Sequence, residues 1–259
     1  VYSRNTTQYR MSRSLSGPWL APPNETFDGG FWYAGKTASD GKRRLAFAWN
    51  PTRAGETDAG TAEWGGHLVV HELVQQADGR LAVKVPREVD ALFREIIPIS
   101  PLGVVGEWEI SGEILSSVAT DSFAWCNLGE TPNTFRLKTT VRWEEGTRGC
   151  GVVLRADEDL QNYYQIRLEP HRQRVVFDSR ARPSAQPFGP LHLLEQPVEL
   201  RAGEDLELKV LVEDSVIVAY VNDKVALSAR GYDHKTGAAG AFVSEGSATF
   251  MGTELERIP

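Results

Sequence analysis

Two tryptophans, a tyrosine and a lysine are the residues of this sequence best suited to hold a polyhydroxylated ligand. Trp32, Tyr33 and Lys36 stand close together, and Trp49 follows across a turn. Aromatic faces stack on the apolar C–H faces of sugar rings, and a lysine ammonium donates to hydroxyls. The competing reading is that strand aromatics fill a core. Because strand faces alternate, Trp32 and Tyr33 cannot both point into one pocket. Asp28 is the nearest acid. Retaining cleavage of a glycosidic bond needs two carboxyl groups about 5 Å apart. The neighbouring sequence supplies no second one, so a turn or strand-start role is expected for Asp28, and no catalytic residue is assigned.

Other chemistries find little support. The five histidines (His67, His71, His171, His192 and His234) are scattered, and none belongs to a His-Glu-x-x-His motif. No Gly-x-Ser-x-Gly elbow and no phosphate-binding loop is present. Asp157-Glu158-Asp159 could offer oxygens to calcium, but a solvated turn between strands explains it without an ion. Cys126 and Cys150 are too few for a disulfide framework and read as free thiols, with one bridge as the alternative. No metal and no cofactor is expected.

The elements that must position these residues are strands. The chain has 259 residues, 41% hydrophobic and 24% charged, with net charge −7, an ordinary globular composition. No basic stripe suggests nucleic acid as a partner, and no apolar run reaches the length of a membrane span. Val1 is followed directly by strand-like sequence, so an upstream segment is expected to be missing and localisation is unreadable. Phe31–Lys36 and Arg44–Trp49 flank a turn at Ser39-Asp40-Gly41-Lys42. Gly66–Val74 and Leu81–Val85 flank another at Ala77-Asp78-Gly79-Arg80. In each, Asp-Gly supplies the positive-φ position, and the two hairpins make a unit the size of one propeller blade.

From residue 86 the period changes. Val89, Leu92, Phe93 and Ile96 form a one-sided helical stripe, which predicts a short helix over 86–97 within a helical linker, 86–104. Residues 105–259 then alternate as a two-sheet sandwich, with Leu137, Trp143, Tyr164, Ile166, Val210 and Val218 expected inside.

These motifs, in order, resemble the C-terminal half of glycoside hydrolase family 32, the invertases, levanases and inulinases. Gly17-Pro18-Trp19, Phe31–Thr37 and Asp40–Trp49 are similar to the family's last blade, with its Phe-Tyr-Ala strand and a return strand ending Gly-Trp. Trp64–Leu68 through Asp78–Leu81 resemble the next hairpin, and Leu211–Ser215 with Val221-Asn222-Asp223 resemble the C-terminal domain. The departures mark a divergent subfamily. Phe31-Trp32 stands where many members have an Asp, Ala48 replaces a Gly, and Val218 stands where a Glu is common.

The resemblance implies an all-β chain: residues 1–85 as the end of a five-bladed β-propeller, then residues 105–259 as a C-terminal two-sheet β-sandwich. It places Trp32, Tyr33, Lys36, Trp49 and Asp28 at the substrate-binding side of the propeller. The family cleaves β-fructosidic bonds with acids carried in Asn-Asp-Pro-Asn-Gly, Arg-Asp-Pro and Glu-Cys-Pro segments, and none of these strings occurs here. The expectation is therefore the C-terminal portion of a glycoside hydrolase acting on β-fructosides or related glycosides, inactive by itself. A lectin-like carbohydrate-binding module without catalysis is the alternative. The expected partners are a fructan or related oligosaccharide and either the missing N-terminal catalytic half or a second copy of the chain.

Overall fold

The computed structural model describes residues 2–3, 6–179 and 193–259; His192 lies outside them. The chain is almost entirely β. Two short strands, β1 (Tyr2–Ser3) and β2 (Thr7–Gln8), pair antiparallel. A four-stranded antiparallel meander follows: β3 (Tyr33–Ser39), β4 (Arg44–Arg53), β5 (Ala62–Gln75) and β6 (Leu81–Lys84). Both Asp-Gly turns form as their sequence implies. Asp40 Oδ1 accepts from the Lys42 and Arg43 amides beside Gly41 at φ +90°. Asp78 Oδ1 accepts from the Arg80 amide beside Gly79 at φ +87°.

The expected helix is one turn long. Helix α1 covers Arg87–Asp90 only, and β7 (Glu95–Ile97) is a strand, hydrogen-bonded to the end of the chain with Ile97 opposite Leu255 and Glu95 opposite Arg257. Of the helical stripe, Phe93 is buried while Leu92 and Ile96 are exposed. The competing force is tertiary. Arg136 donates to the Asp90 and Phe93 carbonyls and pairs with the Asp90 carboxylate at 2.6 Å, pinning the chain just past the turn. A short isolated helix has little stability of its own to set against that. The linker thus contains a helical turn and strand β7, and its end enters β8 (Leu102–Val105), which pairs with the sandwich.

The sandwich continues through β9 (Trp108–Ser111), β10 (Ile114–Thr131), β11 (Thr134–Trp143), β12 (Gly149–Ala156), β13 (Tyr164–Glu169) and β14 (Arg174–Asp178). It is completed by β15 (Leu193–Pro197), β16 (Leu206–Glu213), β17 (Val216–Val221), β18 (Val225–Arg230) and β19 (Gly237–Arg257). The strands run in the order β15-β14-β13-β12-β19-β11-β16-β17-β18, with β10 beside β19. The long strand β19 pairs with β12 near its start and with β11 near its end. It therefore serves both layers, and the sheet curls into a nearly closed barrel-like sandwich.

Its interior holds Leu137, Trp143, Tyr164, Ile166 and Val210, all at most 1% exposed. Val218 is buried but belongs elsewhere. Ile217, Ala219 and Val221 face the sandwich core, whereas Val218 and Tyr220 face outward. That outward face is covered by the four-stranded sheet. Tyr9, Phe27, Trp32, Val69 and Val83 pack with Val218, Tyr220 and Ala226 in one cluster. A strand buried on both faces reads as a continuous apolar run, so its parity is hidden.

Candidate functional site

Asp28 sits in the seam between the two parts, 1% exposed. One carboxylate oxygen accepts from the Gly29 and Ser228 amides. The other accepts from Ser228 Oγ at 2.6 Å and meets His71 Nε2 at 2.8 Å. His71 Nδ1 lies 2.8 Å from the Tyr220 hydroxyl. One buried carboxylate thus ties the loop before β3 to β5 and β18, and through His71 to β17. Trp32 is equally enclosed. It is 1% exposed, donates from Nε1 to the Val69 carbonyl, and stacks on His71 at 5.0 Å between centroids. The expectation that Asp28 and Trp32 touch substrate is corrected: both side chains are spent inside the seam. A buried carboxylate must be hydrogen-bonded, and this one is fully occupied by protein groups.

Tyr33 and Trp49 lie on the opposite face of the sheet. They are direct neighbours across β3 and β4. A bulge follows Tyr33, with Ala34 at φ +59°, and the register resumes at Lys36 opposite Phe47. Three residues thus do the work of two, which returns Lys36 to the face of Tyr33. The sequence reading missed Trp64. Its ring lies 5.3 Å from Trp49 and 5.6 Å from Tyr33, both edge-to-face, while Tyr33 and Trp49 are 5.7 Å apart. Trp64 is 82% exposed, and Leu68, opposite Trp49, is 66% exposed. The signal for Trp64 lay in the pairing of β5 with β4, which only the fold reveals.

This face offers ring stacking and a lysine donor. Among the described residues it does not offer a free pair of acids. Glu72, on the same face opposite Leu45, is held by Arg43 at 3.2 Å and Lys84 at 3.3 Å. Among the described residues no group of three or more His, Cys, Asp or Glu could hold a metal ion. Asp157 uses its carboxylate on the Gln161 and Asn162 amides and the Asn162 side chain, an ordinary turn. Cys126 and Cys150 are free and buried, and desolvation pushes their thiols up to about 11 and about 12. Neither is a ready nucleophile.

The family described as "Glycosyl hydrolases family 32 C terminal" matches residues 112–256, more than half of the chain. No curated protein matches by sequence. Among solved structures, the carbohydrate binding module CBM66 from Bacillus subtilis is similar with TM-score 0.52 and 19% identity, over 62% of this chain and 96% of its own. The exo-inulinase of Aspergillus awamori is similar with TM-score 0.67 and 11% identity, over 98% of this chain and 50% of its own. Fructan 1-exohydrolase IIa of Cichorium intybus is similar with TM-score 0.61 and 15% identity, over 90% of this chain and 49% of its own. At such identities the likeness is one of fold, and the chain spans about half the length of those two enzymes.

Proposed function

The chain belongs to glycosyl hydrolase family 32 through its C-terminal domain, and from that premise we propose that it is the sugar-recognising C-terminal portion of a protein acting on β-fructosides or related glycosides. In this reading residues 1–85 are the last blade region of a propeller, and the sandwich buttresses it. The observation that supports it is the Tyr33–Trp49–Trp64 cluster, turned away from the sandwich with an exposed indole and with Lys36 on the same face. The names of the similar structures, an inulinase, a fructan exohydrolase and a carbohydrate binding module, favour a fructan oligosaccharide as the ligand. An open face buries little of a sugar, so millimolar affinity is expected.

The width of the apolar face adds to this reading. Phe47, Leu68 and Val70 extend it beyond what one sugar ring covers, and a broad exposed apolar face marks an interaction surface. An N-terminal catalytic half, supplying a neighbouring blade, is the partner that fits. Sedimentation separates this from self-association, because a chain that stays monomeric at high concentration leaves the face free for that half.

The functional test is titration with inulin-type oligosaccharides, followed by tryptophan fluorescence, beside a hydrolysis assay. Trp64→Ala should weaken binding roughly fivefold, the worth of about 1 kcal/mol of stacking, and hydrolysis should stay at background. Binding indifferent to both Trp64→Ala and Trp49→Ala, or turnover by the chain alone, would refute the reading.

A further inference from the structure

Strands β8 and β9 form a free edge of the sandwich. Both pair with β10 on one side and, among the described residues, with no strand on the other. The N–H and C=O groups along the open side of such an edge are ready to receive another strand. The sequence gives this edge a charge of one sign. From residue 95 to residue 135 it holds six acids and no lysine, arginine or histidine.

The pleat sorts the side chains of β9. Trp108 stands opposite Ser117 and Ile110 opposite Leu115. Leu115 belongs to the sandwich core, and Trp108 lies against Phe250 with ring centroids 6.2 Å apart. Trp108 and Ile110 therefore turn toward the interior. Nothing closes over them at the edge, and Ile110 is 43% exposed. Glu109, opposite Ser116, turns to the outer face, and Glu107 stands two residues before it. Both glutamates are exposed, and among the described residues neither carboxylate makes an ion pair or accepts a hydrogen bond. The apolar character continues along β8, where Leu102 and Val104 are exposed.

An apolar edge invites copies of itself, but the charges here oppose that. Antiparallel pairing of β9 with the β9 of a second copy would bring the glutamates of one against those of the other, and like charges directly opposite are destabilising. A strand of opposite charge meets no such cost. The side chains of an added strand alternate in step with those of β9. Its inward set would cover Trp108 and Ile110, and its outward set would face Glu107 and Glu109. We infer that the β8–β9 edge is an interaction surface for a partner polypeptide, which adds to it an extended segment of alternating apolar and basic residues. Main-chain hydrogen bonds give such an added strand its affinity, and the alternation of side chains gives it selectivity. Nothing in this inference depends on the sugar-binding reading.

The test uses the full chain, amide-resolved NMR with hydrogen exchange, and three short capped peptides. One alternates lysine and valine, one alternates glutamate and valine, and the third is the lysine–valine peptide N-methylated throughout, so that it cannot donate to the edge. The first should shift the amides of residues 102–111 and slow their exchange, and the other two should not. Glu107→Lys combined with Glu109→Lys, both at exposed positions, should weaken the lysine–valine peptide about tenfold and let the glutamate–valine peptide bind instead. Equal binding of the N-methylated peptide, or shifts spread over the other acids of the chain, would reduce the effect to charge and overturn the inference. Protection of residues 102–111 that grows with the concentration of the chain alone would overturn the occupant in favour of a second copy. Failure of the lysine–valine peptide to bind would overturn the surface itself.

Discussion

Replacing Asp28 by Ala should loosen the joint between the four-stranded sheet and the sandwich more than any change on either surface. The substitution removes the acceptor for the Gly29 amide, the Ser228 amide and the Ser228 hydroxyl, and it removes the partner of His71. All of these lie where water does not reach, since Asp28, His71 and Ser228 are at most 1% exposed. Each buried group left unsatisfied costs about 1–3 kcal/mol, and Asp28→Ala leaves several such groups without their acceptor. Non-additivity within one network makes about 3–5 kcal/mol the expected total. At about 2–4 °C per kcal/mol for a chain of this size, the melting temperature should fall by roughly 6–20 °C. Asp28→Asn should cost less, because its oxygen still accepts from the two amides while its new NH₂ faces the Ser228 hydroxyl and His71. The assay is thermal unfolding by circular dichroism, paired with hydrogen exchange. Exchange should rise across residues 27–85 and leave Ile166, Leu168 and Val210 protected. A loss below about 1 kcal/mol, or exchange rising equally in the sandwich interior, would refute the view that this carboxylate holds the seam.

Two further outcomes follow from the same geometry. Burial pushes the Cys126 and Cys150 thiols up to about 11 and about 12, so a thiol reagent at pH 8 should titrate neither in the folded chain and both after unfolding in guanidinium; prompt reaction of either would contradict their burial. Burial alone would raise the Glu169 carboxyl, but the hydrogen bonds from Arg174 and Arg167 hold it below the usual glutamate range. A depressed carboxylate contributes stability that is present above its unfolded pKa and lost as pH falls through its folded pKa. Glu169→Gln should therefore destabilise by about 1–3 kcal/mol at pH 7 and progressively less toward pH 3, and a pH-independent difference in urea unfolding would contradict this.

What the sequence made legible was local. Both Asp-Gly turns could be read because the residues that close them are adjacent. The inward set of β13 could be read because polar residues mark its other face. Where a strand is covered on both sides that marker vanishes, which is why Val218 was assigned to the wrong interior. The stripe over Val89–Ile96 suggested more helix than forms, because the partner of β7 is the far end of the chain, Leu255–Arg257, beyond any local window. For the site, alternation showed that Trp32 and Tyr33 must part, but not which one is enclosed. His71 and Tyr220 decide that, and neither is near Trp32 in sequence. Alternation also marked Gln165 and Arg167 as the polar side of β13, but not that Gln165 is buried, at 4% exposed.

The two faces of the four-stranded sheet are therefore not equivalent, and the difference explains where recognition can occur. The inner face is closed by apolar packing around a polar lock. Apolar packing alone tolerates sliding, whereas the Asp28 carboxylate, with the groups it binds on β18 and β5, accepts one registry. Fixing that registry fixes the direction of the outer face, so Tyr33, Trp49 and Trp64 present their rings at a set angle to the sandwich. Asp28→Ala should consequently let the four-stranded sheet shift against the sandwich, so that limited proteolysis cuts residues 27–85 faster while the sandwich stays intact. Equal cutting in both parts would show that the carboxylate does not set the registry.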